Sequence, residues 1–217
     1  METNRLEAFS DGVIAVIITI LVLEMKVPHG PDLQALAPVL PVFLSYVLSF
    51  VYVGIYWNNH HHLLHLAETV NGKVMWANLH FLFWLSLFPF VTSWLNEAEP
   101  VPSPVPTALY GFVLLMAGAA WIPLMRTLIA CNGGPKSELK KAIRSNWKEW
   151  GSVLVYAVAI ALSFFVPIVS CGLYAAVAAL WFVPDRRIED KVDQVNTASE
   201  DTGPGTRISD ASKSTGR

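Results

Sequence analysis

The amino-acid sequence predicts an all-α integral membrane protein with six transmembrane helices per chain. Hydrophobic residues make up 53% of the 217 residues and charged residues only 15%, whereas a soluble domain usually carries about 25% charge. The mean hydropathy of +0.45 agrees with this class. The apolar segments are continuous and do not alternate with a period of two, which favours spanning helices over a β-barrel.

Six apolar segments come near the length of about 20 residues that crosses a bilayer. They cover residues 10–27, 37–57, 74–95, 105–128, 150–167 and 168–183. The first is not a cleavable signal peptide, because its leader is mixed in charge and no small-residue cleavage site follows. The second helix is expected to continue beyond the membrane through NNHHHLLHLAE. The last two segments are separated only by VPIVS, which predicts a tight hairpin.

The distribution of Lys and Arg predicts that both termini are cytoplasmic, because positive charge concentrates on the cytoplasmic side of membrane proteins. This orientation leaves only Lys26 outside, and the outer loop NEAEPVPSPVP carries two glutamates and no base. We expect a multi-pass protein of the plasma membrane, with a six-helix transmembrane domain over residues 1–188. Residues 189–217 are rich in Ser, Thr, Asp, Gly and Lys, which predicts a disordered cytoplasmic tail.

The charge and the cysteines give no support to other common classes of protein. A net charge of −2, with the basic residues confined to loops and tail, gives no reason to expect a nucleic-acid partner. Cys131 and Cys171 are the only cysteines, so neither a disulfide framework nor a zinc-site spacing is present.

The first helix combines an aliphatic stripe with polar residues at its start. The stripe consists of Val16, Ile20 and Leu23, with Thr19 beside it. At 100° per residue, Asp11 points about 140° away from Val16. The ordinary interpretation is that the stripe belongs to a core and that Ser10 or Asp11 caps the helix.

Polar residues at the same depth as Asp11 occur in the next two helices. They end the second helix with Trp57, Asn58, Asn59, His60, His61 and His62, and begin the third with Trp76, Asn78 and His80. Because buried polar groups need partners, we expect a hydrogen-bonded cluster that joins three helices. Which histidine contacts Asp11 stays open.

The pattern R-x-x-x-F-S-D at Arg5, Phe9, Ser10 and Asp11 resembles the signature of the endolysosomal potassium channel family and its prokaryotic relatives. The sequence YWNNHHHL at the end of the second helix is similar to that family as well. The resemblance covers residues 5–95, and the last three helices match in number and hydropathy only.

This resemblance implies a potassium-permeable cation channel, with no enzymatic activity and no cofactor besides the permeant potassium ion. The first helix would line a central pore, and the signature residues would pack its base against neighbouring helices. Those residues are Arg5, Phe9, Ser10, Asp11, Trp57, His61, Asn78 and His80. Animal members carry the six-helix unit twice and pair two chains. This chain holds one unit, so a homotetramer is expected.

The sequence contains no TVGYG-type carbonyl filter, so the resemblance implies a constriction built from side chains. The constriction would be formed by Val16, Thr19, Ile20 and Leu23 and would act as gate and filter. Aliphatic rings exclude water, and the Thr19 hydroxyl can replace part of an ion's hydration shell. Which of the aliphatic rings is narrowest stays open.

Two other functions are compatible with some of these residues. The histidines of the second helix suggest a histidine-cluster membrane metalloenzyme, although adjacent histidines point about 100° apart and no metal is expected. A proton-coupled transporter would use Asp11 and His80 as a relay. Transporters, however, usually show paired repeats or discontinuous helices, and Pro89 is the only candidate break.

Overall fold

A computed structural model describes residues 3–28, 30–98, 102–137, 139–140 and 147–182, all within the unit Met1–Val183. These residues form α-helices, short 3-10 segments and loops, with no strand among them. The all-α prediction is therefore confirmed. The predicted tail, residues 189–217, lies outside the described residues.

The described residues include seven α-helices. They are α1 (Thr3–Leu23), α2 (Leu40–His65), α3 (Gly72–Ser86), α4 (Phe88–Glu97), α5 (Pro104–Cys131), α6 (Trp147–Leu162) and α7 (Pro167–Phe182). A 3-10 segment, Leu33–Val39, precedes α2, and a second one, Gly134–Lys136, follows α5. Helices α3 and α4 are two halves of one span, Gly72–Glu97.

The spans differ in length. Four of those described are long and apolar enough to cross a membrane: Thr3–Leu23, Leu33–His65, Gly72–Glu97 and Pro104–Cys131. Helices α6 and α7 have 16 residues each. At 1.5 Å per residue each reaches about 24 Å, less than the hydrocarbon core of about 30 Å. The predicted hairpin joins them, but Pro167 begins α7 instead of ending α6, because proline suits the first turn of a helix.

The third span is interrupted at Leu87. The Leu87 amide bonds to the carbonyl of Trp84, at 3-10 spacing and 3.3 Å, and Pro89 follows in the first turn of α4. Proline lacks an amide hydrogen and clashes with the preceding turn, which accounts for the break.

Helix α5 lies at the centre of the bundle and packs against α3, α4, α6 and α7. Its inner surface is fully buried at Leu114, Ala117, Ala120 and Leu124. The small residues let neighbouring helices approach closely, as is common between membrane helices. Of the helices around α5, α3 and α4 also contact α1.

Helix α1 packs one face against α2, α3 and α4. That face consists of Ser10, Ile14, Ile17 and Leu21, which are buried. Their spacing of four, three and four residues keeps them on one side of an α-helix. The residues that the structure describes leave the opposite side uncovered, and the candidate site lies there.

Candidate functional site

The uncovered face of α1 carries the predicted aliphatic stripe. Within the chain Val16 is 57% exposed, Ile20 39% and Leu23 75%. Thr19 is exposed as well, and its hydroxyl donates a hydrogen bond of 2.8 Å to the Ala15 carbonyl. Because the donor is used on the backbone, the exposed Thr19 oxygen can otherwise act only as an acceptor or a cation ligand. The four predicted residues therefore share one surface of α1.

A buried hydrogen-bond network joins the N-terminal part of α1 to α2 and α3. Asn78 Nδ2 donates to Ser10 Oγ at 2.9 Å, and Ser10 Oγ donates to the Leu6 carbonyl at 2.8 Å. His60 Nε2 lies 2.8 Å from Asn78 Oδ1. Since Asn78 Oδ1 can only accept, His60 must carry its proton on Nε2. Ser10, His60 and Asn78 are all fully buried, and we call them the buried triad.

A second pair of contacts lies beside the buried triad on a more exposed side. Trp57 Nε1 donates to Asp11 Oδ1 at 3.0 Å, and His61 Nδ1 lies 2.8 Å from Glu7 Oε1. The Trp57 and His61 rings stack with centroids 5.9 Å apart. The hydrogen-bonding partner of Asp11 is thus a tryptophan, and the histidine that reaches Ser10 through Asn78 is His60.

Three residues of the predicted signature lie away from these contacts. Arg5 is exposed and Phe9 is 50% exposed. His80 Nε2 accepts a hydrogen bond of 3.0 Å from Trp84 Nε1 on the exposed side of α3. The expectation that His80 joins the cluster is corrected here, because His80 follows Asn78 by two residues and points about 200° away from it.

The C-terminal end of α1 is attached to α4. Ser93 Oγ donates to Glu24 Oε2 at 2.9 Å, and Lys26 Nζ binds Glu97 Oε1 at 2.7 Å. The hydrogen bond to Glu97 raises the pKa of Lys26, so this pair remains charged. Glu24 and Lys26 border a cavity of about 660 Å³ beside α2 and α4.

Sequence reasoning missed Glu7 and Ser93. Glu7 and Asp11 are four residues apart on α1, and Trp57 and His61 are four apart on α2. Two such pairs on facing helices are a signal that could have found the Glu7 contact. The sequence offers no comparable signal for Ser93, because its direction depends on the break that precedes α4.

The histidines of α2 turn toward different partners. His60 reaches Asn78 and stacks on Phe81, with ring centroids 5.9 Å apart, whereas His61 reaches Glu7. In the part of the chain that the structure describes, no three His, Cys, Asp or Glu side chains are grouped so that they could hold a metal ion.

Comparison with known proteins shows that this chain is similar to ion channels. Residues 5–89 match the family described as Endosomal/lysosomal potassium channel TMEM175. A protein of Chryseobacterium sp. (strain P1-3) named Potassium channel is 50% identical over 194 residues, which is 89% of this chain and 100% of that protein. The crystal structure of a lysosomal potassium-selective channel TMEM175 homolog from Chamaesiphon minutus has a TM-score of 0.67 at 27% identity. It covers 83% of this chain and 96% of that chain.

Animal relatives match a shorter region. The Endosomal/lysosomal proton channel TMEM175 of Gallus gallus is 40% identical over 75 residues, which is 29% of this chain and only 15% of that protein. The resemblance found in the sequence is confirmed, and the family match extends from Arg5 into α4.

Proposed function

Because this chain belongs to the family of the endosomal/lysosomal potassium channel TMEM175, we propose that it forms a potassium-permeable channel in which α1 lines the pore. The observation that carries this proposal is the uncovered stripe of Val16, Ile20 and Leu23, opposite the face that packs on α2, α3 and α4. As a member of a channel family, the chain is not an enzyme.

We favour potassium over protons as the ion that the proposed channel conducts. The bacterial relative named Potassium channel aligns over its full length, whereas the animal protein named proton channel aligns over 15% of its length. A proton path also needs a continuous series of titratable groups or water. The stripe that we propose as the narrow part of the pore contains no titratable side chain.

Four copies of the chain around one axis would place four α1 helices together. Within the chain, only 22% of the most apolar stretch of α1 is buried, so most of its surface is available to other copies. Val16, Ile20 and Leu23 would then form stacked aliphatic rings that exclude water when narrow, which is a known way of closing a channel. Thr19 would offer a ring of hydroxyl oxygens between them, as partial replacement for the hydration shell of a potassium ion.

The orientation of the chain follows the distribution of Lys and Arg. We place both termini in the cytoplasm and the channel in the plasma membrane, so the buried triad lies at the cytoplasmic end of α1 and Glu24 at the outer end. Lys26 is then a basic residue on the outer side, where Glu97 neutralises it at 2.7 Å.

The test compares two leucines on opposite faces of α1. Leu23 is 75% exposed and Leu21 is 1% exposed. Leu23→Ala should widen a ring, raise the potassium flux of proteoliposomes several-fold and leave the melting temperature unchanged. Leu21→Ala should lower the melting temperature, because it removes about 2–5 kcal/mol of buried packing. It should leave the ratio of potassium to sodium flux unaltered.

A third variant tests the hydroxyl ring. Thr19→Val keeps the shape of the side chain and removes its oxygen, so discrimination between potassium and sodium should fall with little gain in flux. All fluxes are measured on matched amounts of folded protein, with potassium, sodium and pH gradients in separate experiments. Equal responses to Leu23→Ala and Leu21→Ala would show that α1 does not line the pore.

A further inference from the structure

We propose that Glu24 is a conductance-determining residue that concentrates cations at one mouth of the pore. This inference rests on the channel proposed above and extends it to a residue just beyond the aliphatic stripe. Glu24 directly follows Leu23, and its amide still bonds to the Ile20 carbonyl at 3.2 Å. Its Cα therefore belongs to the helical turn that ends the stripe. Four copies would place four carboxylates around the mouth, each turned toward α4 and not toward the axis.

The carboxylate of Glu24 is held in place by α4. Ser93 Oγ donates to Oε2 at 2.9 Å, which uses one of the two carboxylate oxygens. A hydrogen bond to a carboxylate oxygen limits the rotamers of a long side chain. Glu24 is exposed and borders the cavity of about 660 Å³, so water and ions can reach it.

The neighbouring cation does not cancel the charge of Glu24. Lys26 is the nearest basic residue along the chain, and its ammonium group binds Glu97 at 2.7 Å. The pair Lys26–Glu97 carries no net charge, which leaves Glu24 as the net negative charge among these three residues. Rings of carboxylates at a pore entrance attract cations, and their field raises the local cation concentration.

This mechanism predicts a dependence on ionic strength. The Debye length is about 30 Å at about 10 mM salt and about 3 Å at about 1 M. Four carboxylates around a mouth should therefore act strongly in dilute KCl and hardly at all in concentrated KCl. Glu24→Gln should lower single-channel potassium conductance about threefold in dilute KCl and by less than about a quarter in concentrated KCl. The loss should affect ions entering from the Glu24 side more, so the current should rectify.

Variants that raise or retain the negative charge near Glu24 serve as controls. Lys26→Met leaves Glu97 unpaired and should raise conductance in dilute KCl, whereas Glu24→Asp should retain the conductance of the unmodified protein. Ser93 is a positioning residue: Ser93→Ala should give part of the Glu24→Gln rectification, and Ser93→Thr should restore normal currents. Glu68→Gln makes the same charge change in the loop between α2 and α3, and it should produce no rectification.

The experiment is single-channel recording of the full-length protein in planar bilayers at both KCl concentrations. Absence of potassium current from the unmodified protein would overturn the proposed function itself. If that protein conducts and Glu24→Gln matches it in dilute KCl, the role of Glu24 is wrong. Equal losses for Glu24→Gln at both concentrations would also overturn it, because they indicate a structural effect. If Glu24→Gln does not fold, the rectification expected for Ser93→Ala decides the matter, and its absence contradicts the proposal.

Discussion

Replacing Asn78 by Ala is expected to detach α1 from α2 and α3. Asn78 is fully buried and links Ser10 Oγ at 2.9 Å with His60 Nε2 at 2.8 Å. The substitution leaves the buried N–H of His60 without its acceptor, at a cost of about 1–3 kcal/mol. The lost bond to Ser10 adds about 1 kcal/mol, because the serine hydroxyl can still donate to the Leu6 carbonyl. The free energy of unfolding should fall by about 3 kcal/mol in total.

The assay is thermal unfolding in detergent, followed by the fluorescence of the eight tryptophans. For a chain of this size a loss of about 3 kcal/mol corresponds to a decrease of about 6–12 °C in melting temperature. Asn58→Ala is the matched control, because it also replaces an asparagine by alanine but at an exposed position near the end of α2. Exposed substitutions usually change stability by less than about 0.5 kcal/mol.

A double-mutant cycle then tests whether the buried triad acts as a network. Ser10→Ala alone removes the same Ser10–Asn78 bond, so Ser10→Ala combined with Asn78→Ala should cost less than the sum of the two single changes. The coupling energy expected for such contacting residues is at least about 0.5 kcal/mol. Additive effects, or an Asn78→Ala shift no larger than that of Asn58→Ala, would refute the reasoning.

Three further predictions concern the bundle, the assembly and metals. Gly111→Ala should lower the melting temperature by about 5 °C or more, since a Cβ there would fall on the hydroxyl end of buried Tyr174. Gly118→Ala meets only Tyr56 Oη at 3.5 Å and should not lower it, so equal melting temperatures for the two variants would contradict the packing. Asp11→Ala or Arg5→Ala should reduce the fraction of the proposed tetramer in size-exclusion chromatography more than the conductance of the assemblies that remain. If these variants form stable assemblies that carry no current, Asp11 and Arg5 do not act in assembly. Chelators should leave the melting temperature unchanged, and a drop of several degrees would revive a metal site.

The general depth of the polar cluster could be predicted from the sequence, but its pairing could not. Ser10, Asp11, Trp57 and Asn78 were expected at one level because each stands near the same end of its helix. Which groups meet depends on how far each helix is rotated about its own axis. That rotation is set by packing across the whole bundle, as in the burial of Phe81 and Leu85 on α3.

The two faces of α1 show a second limit of sequence reasoning. The buried face carries Ile14, Ile17 and Leu21, and the exposed face carries Val16, Ile20 and Leu23. Both stripes have helical spacing and both are aliphatic, so periodicity alone does not say which one packs within the chain. Ser10 resolves the ambiguity, because its fully buried hydroxyl accepts a hydrogen bond from Asn78 of α3 and so marks the face that packs within the chain.

The attachments of α1 at its two ends differ in strength. At one end the buried triad removes three polar side chains from solvent, so breaking it would leave unpaired groups in the protein interior. At the other end Glu24–Ser93 and Lys26–Glu97 lie at exposed positions, where water and salt compete with each contact. The contacts at the Leu23 end are made to α4, which follows the break at Leu87, whereas Asn78 of the triad precedes that break on α3. The Ser10 end is therefore the fixed end of α1, and the Leu23 end is the one that can shift at small cost.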